Sequence, residues 1–311
     1  VELAAVASLR HHAVMFRSLP PPPDLVHAVE AGVRVDLPPD TPGQGHAGHT
    51  LFPALPHAML TVTWPVAVPQ TPPAPVVLFH TLSTRPTRHD HPDGLQAVGL
   101  LVRPAAAACL LGAGPGVLTD AVLPWVAVAG PAEAATLAEA LCRAHSTAQR
   151  LAALTASLRR SLARAAPPQR WQTVARLCRG VGRHGLAATT ALGLGPRQLQ
   201  RHCQAYLGVS PKAFERLVRL HGALSQALTQ AATPGAGPLR GAALAQDAGY
   251  ADQSHLGRDL RQLAGGSLGQ LLAQAQPEAA HWPLAWRARH AAPGGAHGLA
   301  TGRPTVLSDG G

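Results

Sequence analysis

The sequence predicts an α+β N-terminal half, β-rich with closing helices, followed by an all-α C-terminal half of two helix-turn-helix units joined by a linker helix. Three observations carry that expectation. Residues 1–125 hold short apolar runs of strand length set among Pro, His and Gly. Residues 170–275 show sustained helical periodicity. Within that helical stretch a pattern of apolar, Arg, Gly and Ser positions comes back 57 residues later. A chain of 311 residues has room for about two domains. Gly (31) and Pro (30) make up about a fifth of it, so long irregular connections are expected.

Taking the elements in order, the runs AMLTVTW (58–64), APVVLFH (74–80) and LQAVGLLV (95–102) are each rich in Val, Leu or aromatic residues and bounded by Pro, Asp or Gly, which reads as strands. From Pro131 the texture becomes helical. Leu137 and Leu141, then Leu151, Leu154, Leu158 and Leu162, recur at spacings of three and four on segments ending near RRSLARA. That leucine stripe serves either packing within its own domain or a dimer contact. AAPPQ (165–169) then breaks the helix. The expected organisation is a first domain over 1–164, a hinge over 165–169, a helical domain over 170–276 and a mobile tail over 277–311.

Within the helical half, Leu199, Cys203, Tyr206 and Leu207 share one face of a helix, while Arg197, Gln200, Arg201 and Gln204 lie on another. Upstream, a small-residue helix from about Leu186 to Ala191 is followed by Gly193, where a tight turn needs positive φ, and by Pro196, suited to a first helical turn. This is the outline of a helix-turn-helix. Leu199, Arg201, Cys203, Tyr206, Gly208 and Ser210 return as Leu256, Arg258, Leu260, Leu263, Gly265 and Ser267, and Gly193 returns as Gly249 at an offset of 56. Between the copies, Ser210 and Pro211 open a helix whose Phe214, Leu217, Leu220, Leu224 and Leu228 form one apolar stripe. A rigid helix of roughly 20 residues is about 30 Å long, close to the roughly 34 Å between successive major-groove segments on one face of B-DNA.

Charge agrees with a polyanion partner for the second half. Residues 1–150 hold 8 Lys and Arg against 10 Asp and Glu, whereas residues 151–311 hold 18 against 6. Cys109, Cys142, Cys178 and Cys203 are too dispersed for a metal or disulfide framework and read as reduced, buried, small apolar residues of a cytoplasmic protein. VELAAVASLRHH lacks the pattern of a signal peptide, and no membrane anchor is expected. His80, His89 and His91 with Asp90 and Asp93 form a cluster that admits a metal role, but no H-E-x-x-H, P-loop or G-x-S-x-G accompanies it, and a solvated loop is preferred.

GPRQLQRHCQAYLGVSPKAF (195–214) together with AGYADQSHLGRDLRQLAGGS (248–267) resembles the C-terminal DNA-binding domain of AraC/XylS-type transcriptional regulators. LQAVGLLVRPAAAACLLGAGPGVLTDAVLPWVAVAG (95–130) is similar to an uncharacterised N-terminal domain of some such regulators. The resemblance implies base contacts from Arg197, Gln200 and Arg201 in the first recognition helix and from Gln253, Ser254, His255 and Arg258 in the second. These types suit the task, since Arg pairs bidentately with guanine and Gln with adenine. Gln204 and Arg261 are expected to hold phosphates, while Asp259 would repel them. The implied partners are double-stranded DNA, RNA polymerase and a small-molecule effector, with no cofactor, no catalysis, no membrane, and a monomeric or homodimeric state. Cys203, Gly195, Thr189, Leu260 and Leu268 depart from the family's usual Phe, Ser, Ala, Phe and Pro. Two other classes remain open: an enzyme with a metal or cysteine site fused to a DNA-binding domain, and a non-specific binder of nucleic acid or anionic membrane.

Overall fold

The computed structural model describes residues 15–37, 49–64, 75–90, 95–112, 119–165, 168–233 and 239–274. The tail expected over 277–311 lies outside the described residues. The chain begins with a six-stranded antiparallel sheet in the order β1-β2-β7-β4-β5-β8. Its strands are β1 (Met15–Leu19), β2 (Val29–Leu37), β4 (Ala58–Trp64), β5 (Val76–His80), β7 (Leu95–Val102) and β8 (Val122–Pro124). A separate antiparallel pair joins β3 (His49–Phe52) to β6 (Thr87–Asp90). The three strands expected from sequence are β4, β5 and β7, which lie side by side in the sheet.

Alternation decides what each face of the sheet does. One face, with Leu60, Val62, Phe79, Val98, Leu100 and Val102, packs against Ala106, Trp125, Leu137, Leu141, Leu154 and Leu158. Those residues come from α1 (Pro104–Leu111), α2 (Trp125–Ala129), α3 (Pro131–Cys142) and α4 (Thr147–Ala165). The leucine stripe is therefore spent on its own core. Buried Trp125 donates its indole N–H to Ser157 Oγ at 3.0 Å. Between α3 and α4, Arg160 and Arg164 converge on buried Glu133 at 2.7 and 3.3 Å. The Arg160 hydrogen bonds hold the Glu133 carboxyl below its ordinary range. A Cβ on Gly32 of β2 would come within 3.1 Å of Leu19 Cβ on β1, tighter than an ordinary contact, with the Leu151 side chain of α4 at 3.5 Å. The opposite face of the sheet carries Val33, Val35, Met59 and Ala97, with Phe52 of β3 packed against them.

The described residues from 168 onward are mainly helical: α5 (Pro168–His184), α6 (Ala188–Leu192), α7 (Pro196–Leu207), α8 (Pro211–Ala232), α9 (Gly241–Asp247), α10 (Gln253–Asp259) and α11 (Leu268–Gln274). Leu177, Val181, Leu199, Cys203, Phe214, Leu217, Leu220, Leu224, Leu244, Leu256, Leu260, Leu263 and Leu271 form one core, with α8 running through it. Cys203, where the resemblance expects Phe, is fully buried in that core, and Tyr206 and Cys178 pack against it. Two residues of the strand-rich half, Ala54 and Leu82, lie in the same cluster. The segment expected to act as a hinge falls between α4 and α5, and its Ala166 and Pro167 lie outside the described residues.

Candidate nucleic-acid interface

Local rules place each donor-bearing helix. The first unit begins with a 3-10 turn over Gly185–Ala187 leading into α6. The chain then reverses at Gly193 in the left-handed region, φ 66°. The Gly195 N–H donates to Gln198 Oε1 at 3.0 Å, so the third helical residue supplies a cap that glycine's missing side chain cannot. Pro196 takes the first position of α7, and left-handed Gly208, φ 71°, ends it. Leu199, Cys203 and Leu207 face inward. Arg197, Gln200, Arg201 and Gln204 are all exposed. Gln204 donates to the Gly208 carbonyl at 3.1 Å, which fastens it to the end of its own helix, whereas Arg197, Gln200 and Arg201 have no protein partner among the described residues.

The second unit repeats the construction with different caps. Gly249 turns the chain at φ 75°. Asp252 then caps α10 by accepting from the His255 N–H at 2.7 Å, a signal present in the sequence but not singled out there. Gln253, Ser254, Arg258 and Arg261 are exposed. His255 is half-buried, its ring edge-on to Tyr250 with centroids 5.1 Å apart. Gln253 lies over the start of α9, where a Cβ on Gly241 would come within 2.8 Å of its Nε2. After α10 the helix widens into a π segment, Leu260–Ala264, that carries Arg261 and ends at Gly265.

Asp259 corrects the expectation drawn from sequence. Its side chain is only 3% exposed and receives Arg216 of α8 at 2.7 Å, so it points into the protein rather than toward a phosphate. Arg216 also donates to Gln262 at the end of the same recognition segment. The pair joins α8 to the second recognition helix, with Arg219 stacked 4.7 Å over the Tyr250 ring one turn further along. Ser210 caps α8 by accepting from the Ala213 N–H at 3.1 Å, and the stripe from Phe214 to Leu228 is buried as its spacing requires. Its 22 residues give a strut of about 33 Å.

Charge pairing sets the recognition segments apart from the linker helix. Arg34, Arg103, Arg143, Arg159, Arg160 and Arg164 each meet a carboxylate, as do Arg216 and Arg219 of the linker helix. Arg197, Arg201, Arg258 and Arg261 do not, among the described residues, and they project from the two recognition segments. Guanidinium groups left in water at helix faces are suited to phosphates and base edges.

The competing sites are less built. His80 hydrogen-bonds Thr61 Oγ1 at 3.2 Å and lies 5.6 Å from the His89 ring, while the Asp90 side chain, His91 and Asp93 lie outside the described residues. Among the described residues no three His, Cys, Asp or Glu side chains are grouped to hold a metal ion. The cysteines are all free. Cys109 and Cys203 are buried and Cys178 partly so, but Cys142 is exposed on α3, contrary to the expectation that all four are buried. Burial pushes the Cys203 thiol up to about 12 and raises Cys178 and Cys109 as well, the reverse of an activated nucleophile. No helix of the described residues is long and apolar enough to cross a membrane.

A family model described as "Helix-turn-helix domain" matches residues 188–274, from the start of α6 to the end of α11. Residues 188–274 are an AraC-type helix-turn-helix domain. Such domains belong to DNA-binding transcription regulators, and the α6–α7 and α9–α10 units are the two halves of this one. Solved structures of ToxT overlap more of the chain at low similarity. ToxT from Vibrio cholerae O395 is 10% identical, covering 78% of this chain and 96% of that one with a TM-score of 0.42. ToxT of the same strain bound to (E)-4-(8-methylnaphthalen-1-yl)but-3-enoic acid is 10% identical, covering 83% and 98% with a TM-score of 0.42. Unsaturated fatty acid bound wild-type ToxT from Vibrio cholerae strain SCE256 is 9% identical, covering 84% and 93% with a TM-score of 0.37. Overlap at this level adds nothing to what the chain's own packing says. No curated protein matches the chain significantly.

Proposed function

We propose that the chain is a sequence-specific regulator of transcription that reads two adjacent major-groove segments of one duplex. One observation carries this reading: each unit buries the apolar face of its recognition helix and leaves exposed donors in water, and the single helix α8 connects the two units. In the first helix Arg197, Gln200 and Arg201 read bases. In the second, Gln253, Ser254 and Arg258 do so, with His255 at the edge against Tyr250. Gln204 and Arg261 set the register on phosphates. A monomer spans both segments, and a homodimer would need a surface other than the leucine stripe, which is already buried.

The strand-rich half is the controlling domain in this reading, acting in the cytoplasm on contacts with RNA polymerase or through a small effector. The sheet face covered by β3 supports an effector, because polar Thr61 and His80 stand there beside Met59 and the small residues Ala97 and Gly99. The test is selection of binding sites from random duplexes with the full chain. The expected product is a motif of two half-sites centred about 10 base pairs apart. Tight binding with no enriched motif would make the basic half a non-specific binder.

A further inference from the structure

The two helix-turn-helix units differ at one place. In the first, α7 is a regular α-helix up to Gly208; in the second, the corresponding residues Leu260–Ala264 form a π segment before Gly265, φ 80°. A π turn is rare and occurs mostly as a single widened turn of an α-helix, frequently at a functional site. Here the strand-rich half meets it. The Ala54 N–H donates to the Leu263 carbonyl at 2.6 Å, satisfying a group that a helix end leaves without an internal partner. Leu51 of β3 lies against one side of Gly265, where a Cβ would stand 2.9 Å from Leu51 Cδ2 and 3.7 Å from Pro86 Cβ. Ala54 and Leu82 are buried in the helical core, and the His57 ring lies 5.4 Å from His221 of α8. The first unit meets the same half through α1, whose Ala105 and Ala108 pack with Val174 of α5 beside Cys178 and Tyr206.

We propose that segments 51–57 and 82–86 latch the π turn and thereby fix the second recognition helix relative to the first. The latch rests on the duplex-reading function proposed above. α8 and the Arg216–Asp259 pair give the second unit one attachment to the first, and the latch gives a second at the C-terminal end of the same recognition segment. With both in place the half-site spacing is set. With the latch open, the second unit pivots on α8 and the spacing rule relaxes. The contact consists of one backbone hydrogen bond, the apolar side chains of Leu51, Ala54, Leu82 and Pro86, and the His57–His221 ring contact, all supplied from two short segments of the strand-rich half.

Two full-length variants test this. Ala54→Pro removes the donating N–H, and Leu51→Ser removes the apolar contact beside Gly265. In both, hydrogen-exchange protection of amides from Leu260 to Leu271 is expected to fall about tenfold or more, while protection of β7 and α5 stays at the wild-type level and serves as the control for folding. On duplexes carrying the selected half-sites at the selected spacing or a few base pairs apart from it, a wild-type preference of roughly tenfold or more is expected to shrink to within about twofold. Unchanged protection in both variants overturns the latch. Lost protection with the spacing preference intact overturns its role in orientation. Failure of the wild-type chain to select any duplex defeats the proposed function instead, and the exchange result still decides the contact.

Discussion

Arg201 and Arg216 carry the same guanidinium to different ends. Arg201 stands in water on the outer face of α7, whereas Arg216 reaches 43 residues along the chain to Asp259. A helical wheel identifies the first, because the neighbours that expose it are three and four residues away. It cannot identify the second, which is why Asp259 reads in the sequence as a hazard to phosphate and in the fold as an internal tie. Replacing Arg201 with Ala should cost about 1–3 kcal/mol of operator affinity and relax preference at a single base position. Equal losses on selected and random duplex would show that it holds phosphate only. A second residue-scale effect is pH dependence. Burial, aided by neighbouring His89, lowers His80 from the ordinary 6.5 to about 4. The unfolded chain therefore takes up this proton first, and stability falls as pH drops below about 6.5, levelling near 4. Glu133, held low by Arg160, keeps its contribution until below about 4.5, so it does not overlap the His80 effect above that pH. Urea denaturation should lose roughly 2 kcal/mol between those limits, and His80→Gln should flatten the dependence.

At the scale of elements, the repeat was legible because glycine geometry repeats with it. Gly193 and Gly249 turn between helices at φ 66° and 75°, and Gly208 and Gly265 end the recognition segments at 71° and 80°. Gly193 isolates the backbone contribution, since a Cβ there meets nothing within 4 Å. Gly193→Ala should lower stability by about 1–2 kcal/mol through φ alone, read as a lower thermal midpoint with duplex specificity unchanged. Strands were legible only where they lie centrally. β4, β5 and β7 are apolar enough to be seen as runs, but β2 mixes Val33 and Val35 with the Arg34–Asp36 pair, and β1, β3, β6 and β8 are three to five residues long. Edge strands and short pairs are defined by partners that a local pattern does not contain.

For the molecule as a whole, composition located the basic half, and ion pairing shows which of its guanidinium groups are left over. Arg34, Arg103, Arg159, Arg160 and Arg164 of the strand-rich half and Arg216 and Arg219 of the linker helix meet carboxylates, whereas Arg197, Arg201, Arg258 and Arg261 of the recognition segments meet none among the described residues. Arg261→Gln should therefore make the slope of log K against log salt less negative by about one while base preference is retained. A fixed slope would place Arg261 outside the contact. Nothing in composition or periodicity announced that the two halves touch, because Ala54, Leu82 and α1 are unremarkable as sequence and acquire meaning only from distant partners. That shared interior has a calorimetric consequence. With Ala54 and Leu82 built into the helical cluster, heating should give one endotherm, whose van 't Hoff and measured enthalpies coincide, rather than a peak for each half.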